Sequence, residues 1–247
     1  MRATTHQNQP SDSMAQTETL EQVNREGRER LYPSLTNPSW LVLRKRRELF
    51  QKWFEKLPHH DLRVLDVGGR IQPYRSLLPM RLSRYVAVDL RGTPLVHVVA
   101  RAEQLPLAND HFDVAFCTQV LQYIPDPRLV IAETYRVLKP GGFLLLSVPS
   151  ALPRDSDEEC WRFLPEGLRE LLGAFARVEL EPEGGSVAGF FRTINVCLNI
   201  FARYRAIRWL FRYSIYPMVN LSGAMLEQLA NGRNNQFAVN YSIFAQK

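Results

Sequence analysis

Cysteine is scarce in this chain, and none of the spacings that build a metal site is present. The 247 residues include three cysteines, Cys117, Cys160 and Cys197, which lie far apart in the sequence. They form neither a C-x-x-C pair nor a cluster with histidine, and their odd number does not suit a disulfide framework. We therefore expect no zinc site, reduced thiols and a cytoplasmic protein.

Long uninterrupted hydrophobic runs are missing as well. The stretch MRATTHQNQPSDSMAQTET at the start is polar throughout, so it lacks the apolar core of a secretory signal and export is not expected. Arginines interrupt every apolar window long enough to cross a bilayer, which argues against a transmembrane span. Residues 1 to about 30 also lack apolar residues at regular spacing, and we expect a flexible tail over residues 1–35.

What the chain does contain is the composition of an ordinary globular domain with an excess of positive charge. Apolar residues make up 45% and charged residues 23%, and the formal net charge is +6. Two basic clusters are Arg44, Lys45, Arg46 and Arg47, and Arg203, Arg205, Arg208 and Arg212. We interpret the first as the solvated face of a helix. Neither resembles a nucleic-acid module, so no nucleic-acid partner is expected.

Beyond about residue 60, short runs rich in valine and leucine alternate with helix-length segments. This alternation is typical of β-α-β units, whose parallel strands are apolar along their whole length because helices cover both faces of the sheet. The predicted strands are Leu62–Val67, Tyr85–Asp89, Val96–Val99, Phe112–Cys117, Phe143–Val148, Ala176–Leu180 and Phe237–Phe244. They predict an α/β fold with a Rossmann-like, doubly wound, mostly parallel sheet of seven strands.

Two helical features accompany the alternation. Apolar residues recur at helical spacing from Ser39 to Pro58, which predicts a lead-in helix. A long aromatic-rich stretch over about residues 190–230 breaks the pattern, and we interpret it as a helical insertion before the last strand. The predicted domain spans residues 36–247.

A glycine pair follows the first predicted strand, in the stretch VLDVGGR. Gly68 and Gly69 let the backbone approach a ligand closely, although a purely structural turn has the same sequence. The second strand ends at Asp89, where a carboxylate in a doubly wound fold accepts hydrogen bonds from ribose hydroxyls, the alternative being an aspartate that caps a turn. These features predict an adenosine site, and they leave open whether a nicotinamide cofactor or S-adenosylmethionine fills it.

The segment from Glu103 to Pro149 reads EQLPLANDHFDVAFCTQVLQYIPDPRLVIAETYRVLKPGGFLLLSVP. Its LP…FD segment, its TQVLQYIPDP stretch and its RVLKPGG turn resemble the small bacterial, type 11-like class I methyltransferases that depend on S-adenosylmethionine. The resemblance runs from about Val64 to Gly185 and includes the stretch WRFLPEGLRELL. It implies S-adenosylmethionine as cofactor and a reaction that requires no metal.

The resemblance also assigns donor-binding roles to residues at the ends of the predicted strands. The implied positions, from the methionine end through the ribose and the adenine to the methyl-transfer region, are Asp66, Gly68, Gly69, Asp89, Ala102, Glu103, Gln119 and Val120. Two neighbours depart from the family pattern. Arg70 replaces the second motif glycine, and Arg101 stands where an acid near the adenine is usual.

These departures keep a second hypothesis open. Arg70 places a cation beside a positively charged sulfonium, so either a neighbouring carboxylate or the substrate neutralises it, or the chain is an inactive methyltransferase-like binding protein. A nicotinamide-dependent oxidoreductase is a third alternative, disfavoured by the RVLKPGG segment and by the long insertion before the last strand.

The acceptor side is less well defined. For a hydroxyl acceptor a general base must lie within hydrogen-bond reach of the proton that it removes, and the candidates are His111, before the fourth strand, and Tyr123, after it. The expected acceptor is a small molecule, a sugar or a lipid-linked glycan. The arginines and aromatic residues of the insertion would meet an anionic membrane surface, the alternative being a helical cap packed on the core.

Overall fold

The computed structural model describes residues 18–58, 60–78, 82–154, 156–199, 201, 204–230 and 235–247. Seven strands form one sheet: β1 (Leu62–Val67), β2 (Leu82–Asp89), β3 (Val98–Val99), β4 (Phe112–Thr118), β5 (Leu138–Pro149), β6 (Arg177–Pro182) and β7 (Asn240–Gln246). Their order is β3-β2-β1-β4-β5-β7-β6. The ladders among β1 to β5 are parallel, whereas β7 runs antiparallel to both β5 and β6. The predicted doubly wound, mostly parallel sheet is confirmed.

The helices lie on both faces of this sheet and beside its end. They are α1 (Leu20–Leu31), α2 (Trp40–Phe54), α3 (Pro127–Val137), α4 (Pro165–Leu171), α5 (Ser186–Asn199), α6 (Arg205–Leu210) and α7 (Tyr216–Leu229). A π-helical stretch, Phe211–Ile215, joins α6 to α7. Among these described helices, none is both long enough and apolar enough to cross a membrane.

The predicted flexible tail is wrong for the residues that form α1. Thr19 and Gln22 make a capping box, in which the Thr19 side chain accepts from the Gln22 N–H and the Gln22 side chain accepts from the Thr19 N–H. Such a box satisfies backbone donors that would otherwise be unpaired, and so it fixes the start of a helix. Val23, Gly27 and Leu31 form the buried stripe of α1. Residues 1–17 lie outside the described part of the chain.

The helix α2 covers one face of the sheet with aromatic side chains. Phe50, Trp53 and Phe54 are each at most 1% exposed, and Phe50 and Phe54 contact Phe116 of β4. Ser39 is the residue before this helix, as predicted, but its side chain makes no capping hydrogen bond. The opposite face of the sheet is covered by α3 and α4, whose apolar residues belong to a second buried cluster.

The predicted helical insertion before the last strand is confirmed. It begins at Ser186, slightly earlier than expected, and comprises α5, α6, the π-helical stretch and α7. Close packing holds the insertion to itself and to α2, since a Cβ on Gly223 would lie 2.8 Å from the Cβ of Phe191 and 3.0 Å from Leu41. The side-chain amide of Asn220 also donates to the carbonyl oxygens of Leu35 and Asn37.

Strand order determines where this sheet can bind a ligand. The chain moves from β1 outward to β2 and β3, and then returns to the other side of β1 with β4. The connections after β1 and β4 therefore diverge, and a crevice opens between them at the carboxyl ends of the strands.

Candidate functional site

A cavity of about 640 Å³ lies at the carboxyl ends of β1, β2 and β4. Its volume is within the range of roughly 300–1,000 Å³ that is usual for small-molecule sites. Six of the residues predicted from the sequence line it: Gly68, Asp89, Ala102, Gln119, Val120 and Tyr123. All four predicted donor regions, at the ends of β1, β2 and β4 and at Ala102, therefore have at least one residue on the wall of this cavity.

The loop after β1 has a conformation that requires glycine at its first position. Gly68 has a φ of +76°, and its N–H donates to the carbonyl oxygen of Val88 at the end of β2. A Cβ at Gly68 would lie 2.2 Å from Cγ2 of Val120, which lines the cavity after β4. Glycine is needed here both for the backbone angle and for the close approach of the two loops.

Gly69 and Asp66 support this loop from below and do not line the cavity. A Cβ at Gly69 would lie 2.8 Å from Cγ of Asp66 and 2.9 Å from the Cβ of Ala87. Asp66 is 5% exposed, and its carboxylate accepts a hydrogen bond of 2.6 Å from the Tyr85 hydroxyl. Both residues are buried and neither lines the cavity, so their contact with the donor stays a prediction.

Burial also changes the acidity of Asp66. Desolvation raises the pKa of Asp66 to about 7, with the hydrogen bond from Tyr85 lowering it in part and the charge of Asp89 raising it. A carboxyl group removed from water favours its neutral form. Asp66 is thus a buried, proton-sensitive support for the glycine loop.

Asp89 and Ala102 occupy the neighbouring part of the cavity wall, as predicted. One carboxylate oxygen of Asp89 accepts from the backbone N–H of Arg91 at 2.8 Å, which orients the side chain at the end of β2. Glu103 differs from the prediction, because it does not line the cavity and instead binds Arg101 at 2.5 Å. The side chain of Arg101 is 65% exposed and does not line the cavity. This departure from the family pattern therefore places no cation on the cavity wall.

Arg70 lines the cavity, but carboxylates from the N-terminal part of the chain neutralise its charge. Its guanidinium donates to Glu18 at 2.7 Å and to Glu26 of α1 at 2.6 Å. Burial lowers the pKa of Arg70, and the hydrogen bonds that Arg70 donates to both glutamates outweigh that effect and raise the pKa overall. A neighbouring carboxylate, which was one of the alternatives left open by the sequence, therefore neutralises Arg70. The sequence did not indicate that Glu18 and α1 supply the carboxylates.

The turn after β4 brings three predicted residues to the cavity, namely Gln119, Val120 and Tyr123. Gln119 has a φ of +58°, which is uncommon for a residue with a side chain. Its amide donates to the Ser147 hydroxyl at 3.0 Å, and its backbone N–H donates to the Ser147 carbonyl. Strained backbone of this kind is held in place by its surroundings and is common at ligand sites.

His111 is not part of the site. It precedes Phe112 at the amino end of β4, and its N–H donates to the carbonyl oxygen of Val137. The seven residues of β4 separate it from the cavity by about 20 Å at about 3.3 Å per residue. The prediction of His111 as a general base is wrong, because a base must reach the acceptor.

A buried ion pair at the cavity wall was not found from the sequence. Arg46 of α2 is 2% exposed and donates to both carboxylate oxygens of Glu183 at 2.8 Å. The same carboxylate accepts from the hydroxyls of Ser147 and Ser242, each at 2.6 Å. Arg46 is therefore not solvated, which corrects the interpretation of the first basic cluster. Its position on the apolar stripe of α2, four residues after Val42 and four before Phe50, is the signal that was missed.

Part of the chain is similar in sequence to known methyltransferases. Residues 65–146 match the family described as "Methyltransferase domain". Over 148 residues the chain is 33% identical to a ubiquinone biosynthesis O-methyltransferase of Pseudomonas putida (strain W619), which covers 47% of this chain and 62% of that protein. It is 35% identical over 120 residues to a malonyl-[acyl-carrier protein] O-methyltransferase of Alcanivorax borkumensis, covering 42% and 40%. The matched parts span less than two thirds of these relatives.

A solved structure agrees over almost the whole chain. The [4+2]-cyclase SpnF aligns with a TM-score of 0.50 at 19% identity and covers 94% of this chain and 97% of its own. This likeness concerns the fold alone. The matched segment contains Gly68, Asp89 and Gln119, which meet at the cavity. In strand order, in the position of this cavity and in the matched segment, the chain is similar to the class I methyltransferases that depend on S-adenosylmethionine.

Proposed function

We propose that this protein transfers a methyl group from S-adenosylmethionine to an acceptor bound in the same cavity. The observation that carries the proposal is the joint position of Gly68, Asp89 and Gln119 at one cavity, beside a further polar wall. The glycine loop leaves no space for a Cβ, and the carboxylate of Asp89 suits a ribose diol. The residues present therefore fit the adenosyl donor.

When bound, the donor supplies an activated methyl group whose transfer depends chiefly on alignment and on exclusion of water. In this proposal Asp89 holds the ribose, Ala102 lies beside the adenine, and the loop at Gly68 orients the amino-acid end. Gln119 borders the methyl-transfer region. Tyr123, on the cavity wall after β4, is the proposed acceptor-facing residue. Its hydroxyl oxygen would accept a hydrogen bond from an acceptor hydroxyl and would release its own proton to water as it takes the acceptor's proton.

Calorimetry with S-adenosylmethionine tests the donor site. Asp89→Ala should weaken binding by about tenfold or more, because two hydrogen bonds to a charged carboxylate are lost, each of which contributes about 1.5–3 kcal/mol. Asp61→Ala is the matched control, since Asp61 is exposed before β1. Equal affinity of the two variants would reject the ribose assignment. Failure of the unmodified protein to bind at millimolar donor would instead favour the inactive binding protein.

The polar wall suits an acceptor with hydroxyl groups. Gln122 and Asn240 line the cavity and are 2% and 4% exposed. Their side-chain oxygens, Oε1 and Oδ1, have no hydrogen-bond partner among the described residues. Buried polar groups normally find partners, so a ligand with several donors is favoured over an apolar one. A sugar, free or linked to a lipid, has this chemistry.

The insertion supports the lipid-linked form of this acceptor. Half of the large hydrophobic side chains that are exposed in the described part of the chain lie between residues 201 and 229, among them Trp209 at 66%, Tyr213 at 55% and Leu229 at 77%. Arg205, Arg208 and Arg212 are exposed in the same segment, while Arg203 lies outside the described residues. Exposed aromatic and apolar side chains interleaved with arginines are typical of helices that lie on anionic membranes. The same insertion also borders the cavity, because its helix α5 places Arg192 and Val196 on the cavity wall. We therefore propose that the insertion docks on an anionic bilayer and that the acceptor reaches the cavity from this bilayer.

Vesicle sedimentation tests the membrane proposal. The protein should sediment with vesicles of phosphatidylcholine and phosphatidylglycerol at low salt and remain in solution with phosphatidylcholine alone. Replacing Arg205, Arg208 and Arg212 by glutamine should abolish sedimentation, since each basic residue near an anionic surface contributes about 1 kcal/mol. The control removes the same charge at Arg25, Arg63 and Arg84, which are exposed elsewhere. Equal sedimentation with both kinds of vesicle, or equal loss in both variants, would rule the proposal out.

A further inference from the structure

Arg30 is unusual among the arginines at the α1 side of the cavity. It lies in the last turn of α1 and lines the cavity together with Arg46 and Arg70. Within the described residues it has neither a hydrogen bond nor an ion pair, although the Tyr74 side chain and the Glu26 carboxylate are near enough to act on it electrostatically. Arg30 is thus a cation on the cavity wall that has no direct partner in the part of the chain that the structure describes.

The two neighbouring arginines show what a partner would look like. Arg46 is held by both oxygens of Glu183, and Arg70 is held by Glu18 and Glu26. Each cation is therefore matched by carboxylates of the protein, whereas the nearby Arg30 is not. Among the described residues, Arg30 is the cation of this group that no carboxylate binds directly.

The electrostatic surroundings make this exception costly. Burial lowers the pKa of Arg30, and the positive charges of Arg46 and Arg70 lower it further against the opposite effects of Tyr74 and Glu26. Arg30 is partly exposed, so water solvates its charge only in part, and such a charge without a partner is less stable than a paired one. Arg30 therefore adds little to the stability of the ligand-free protein, and a bound anion would compensate its charge.

We propose that Arg30 forms an anion-binding subsite at the α1 end of the cavity, which takes a carboxylate or a phosphate of a bound ligand. The planar guanidinium offers two parallel N–H donors that match either group. The subsite rests on the proposed function only for the source of the anion. That source is either the amino-acid carboxylate of the donor, whose methionine end belongs at the Gly68 loop, or an acidic group of the acceptor.

The test compares Arg30→Gln with Arg28→Gln, a control that removes the same charge from an exposed position in the same turn of α1. Three calorimetric titrations are made with each protein. The probes are S-adenosylhomocysteine, 5′-methylthioadenosine, which has the same nucleoside but lacks the carboxylate, and inorganic phosphate added to protein saturated with S-adenosylhomocysteine.

If Arg30 binds the donor carboxylate, Arg30→Gln should weaken the binding of S-adenosylhomocysteine by about tenfold or more. The affinity for methylthioadenosine should then change by no more than about twofold. An acceptor anion predicts unchanged nucleoside affinities and loss of phosphate binding in Arg30→Gln alone. In either case Arg30→Gln should raise the Tm of the ligand-free protein relative to Arg28→Gln, because an unmatched charge is removed. A structural role for Arg30 would lower the Tm instead.

The outcomes separate this inference from the proposed function. If Arg30→Gln and Arg28→Gln agree in all three titrations and in Tm, the anion subsite is rejected. If the unmodified protein binds neither nucleoside, the donor assignment fails, and phosphate binding to the unsaturated protein then decides on Arg30 by itself. Arg30→Lys keeps the charge but not the planar fork, so it should retain part of the affinity.

Discussion

Two glycines with nearly the same backbone angle separate conformational strain from lack of space. Gly68 has a φ of +76° and a Cβ position 2.2 Å from Val120, whereas Gly141 has a φ of +78° and no heavy atom within 4 Å of its Cβ position. Gly141→Ala should therefore lower the free energy of unfolding only by the left-handed strain, about 1–2 kcal/mol. Gly68→Ala should lower the free energy of unfolding by more than this, as measured by urea unfolding. It should also weaken the binding of the donor, as measured by calorimetry.

A double variant provides the control for Gly68. Val120→Ala removes Cγ2, after which the remaining Cβ lies 3.6 Å from the added methyl group, an ordinary contact. In the double variant, the part of the loss of unfolding free energy by which Gly68→Ala exceeds Gly141→Ala should therefore disappear. If Gly68→Ala and Gly141→Ala cost the same, the close approach of the two loops is not what requires glycine.

The buried carboxyl group of Asp66 predicts a particular pH dependence of stability. Its pKa is raised by burial to about 7 in the folded chain, against about 3.9 in an unfolded chain. The folded state therefore binds the proton more strongly, so the stabilisation is complete below about pH 4 and is lost as the pH rises to about 7. Asp66→Asn should remove this fall from the unfolding free energy measured across that range.

Two further variants locate the effect at Asp66. Tyr85→Phe removes the hydrogen bond that lowers the pKa of Asp66, so the fall should extend to higher pH. Asp61→Asn, at an exposed aspartate, should leave the profile unchanged. A profile of Asp66→Asn that runs parallel to that of the unmodified protein would show that Asp66 is ionised throughout.

At the same scale, the sequence predicted residues whose role depends on local structure and missed those that depend on distant partners. Gly68 and Asp89 follow directly from the ends of β1 and β2, and both line the cavity. The partner of Arg46 is Glu183, which lies 137 residues later in the sequence. No local pattern contains that distance, so Arg46 was interpreted as solvated.

At the scale of elements, α1 depends on a glycine that the sequence pattern did not count as apolar. Without Gly27, only Val23 and Leu31 remain of its buried stripe, and two residues eight positions apart do not predict an amphipathic helix. The capping box at Thr19 and Gln22 was the available signal. The strands, in contrast, were predicted within a few residues because fully covered parallel strands are continuous apolar runs.

The docking of α1 can be tested at Gly27. Its Cβ position lies 2.5 Å from the carbonyl oxygen of Ile71 in the loop after β1. Gly27→Ala should therefore destabilise the protein, although alanine favours a helix by about 0.8–1.0 kcal/mol over glycine. Gly167→Ala in α4 is the matched control, because its Cβ would have nothing within 4 Å and should stabilise.

Amide hydrogen exchange measures this effect where it should occur. Protection of α1 should fall in Gly27→Ala, and the contacts of Arg70 with Glu18 and Glu26 should weaken with it. A Gly27→Ala protein as stable as Gly167→Ala would show that α1 does not rest on the loop after β1.

At the scale of the whole molecule, the Arg46 and Glu183 pair connects segments that are distant in the chain. It joins α2 to the segment after β6, and Ser147 and Ser242 add β5 and β7. Glu183→Gln leaves the Arg46 charge buried without a match, and we expect a loss of about 3–5 kcal/mol of unfolding free energy. Unfolding in urea, followed by circular dichroism, provides the measurement.

The exposed pair of Glu166 with Arg169 is the control for this prediction. These side chains are 86% and 53% exposed, and removal of such a pair costs about 0–1 kcal/mol. Glu166→Gln should therefore unfold at nearly the same urea concentration as the unmodified protein. A Glu183→Gln protein that behaves like Glu166→Gln would show that water reaches Arg46 and solvates it.

The buried thiol of Cys117 can be used to measure how often the centre of the sheet opens. This thiol is fully buried in β4, next to β1, and burial raises its pKa, whereas Cys160 and Cys197 are exposed. Once those two are changed to serine, an alkylating reagent reacts only when the centre of the sheet opens. The rate of alkylation then measures how often β1 and β4 separate. A small molecule that binds in the crevice should lower this rate in proportion to its occupancy.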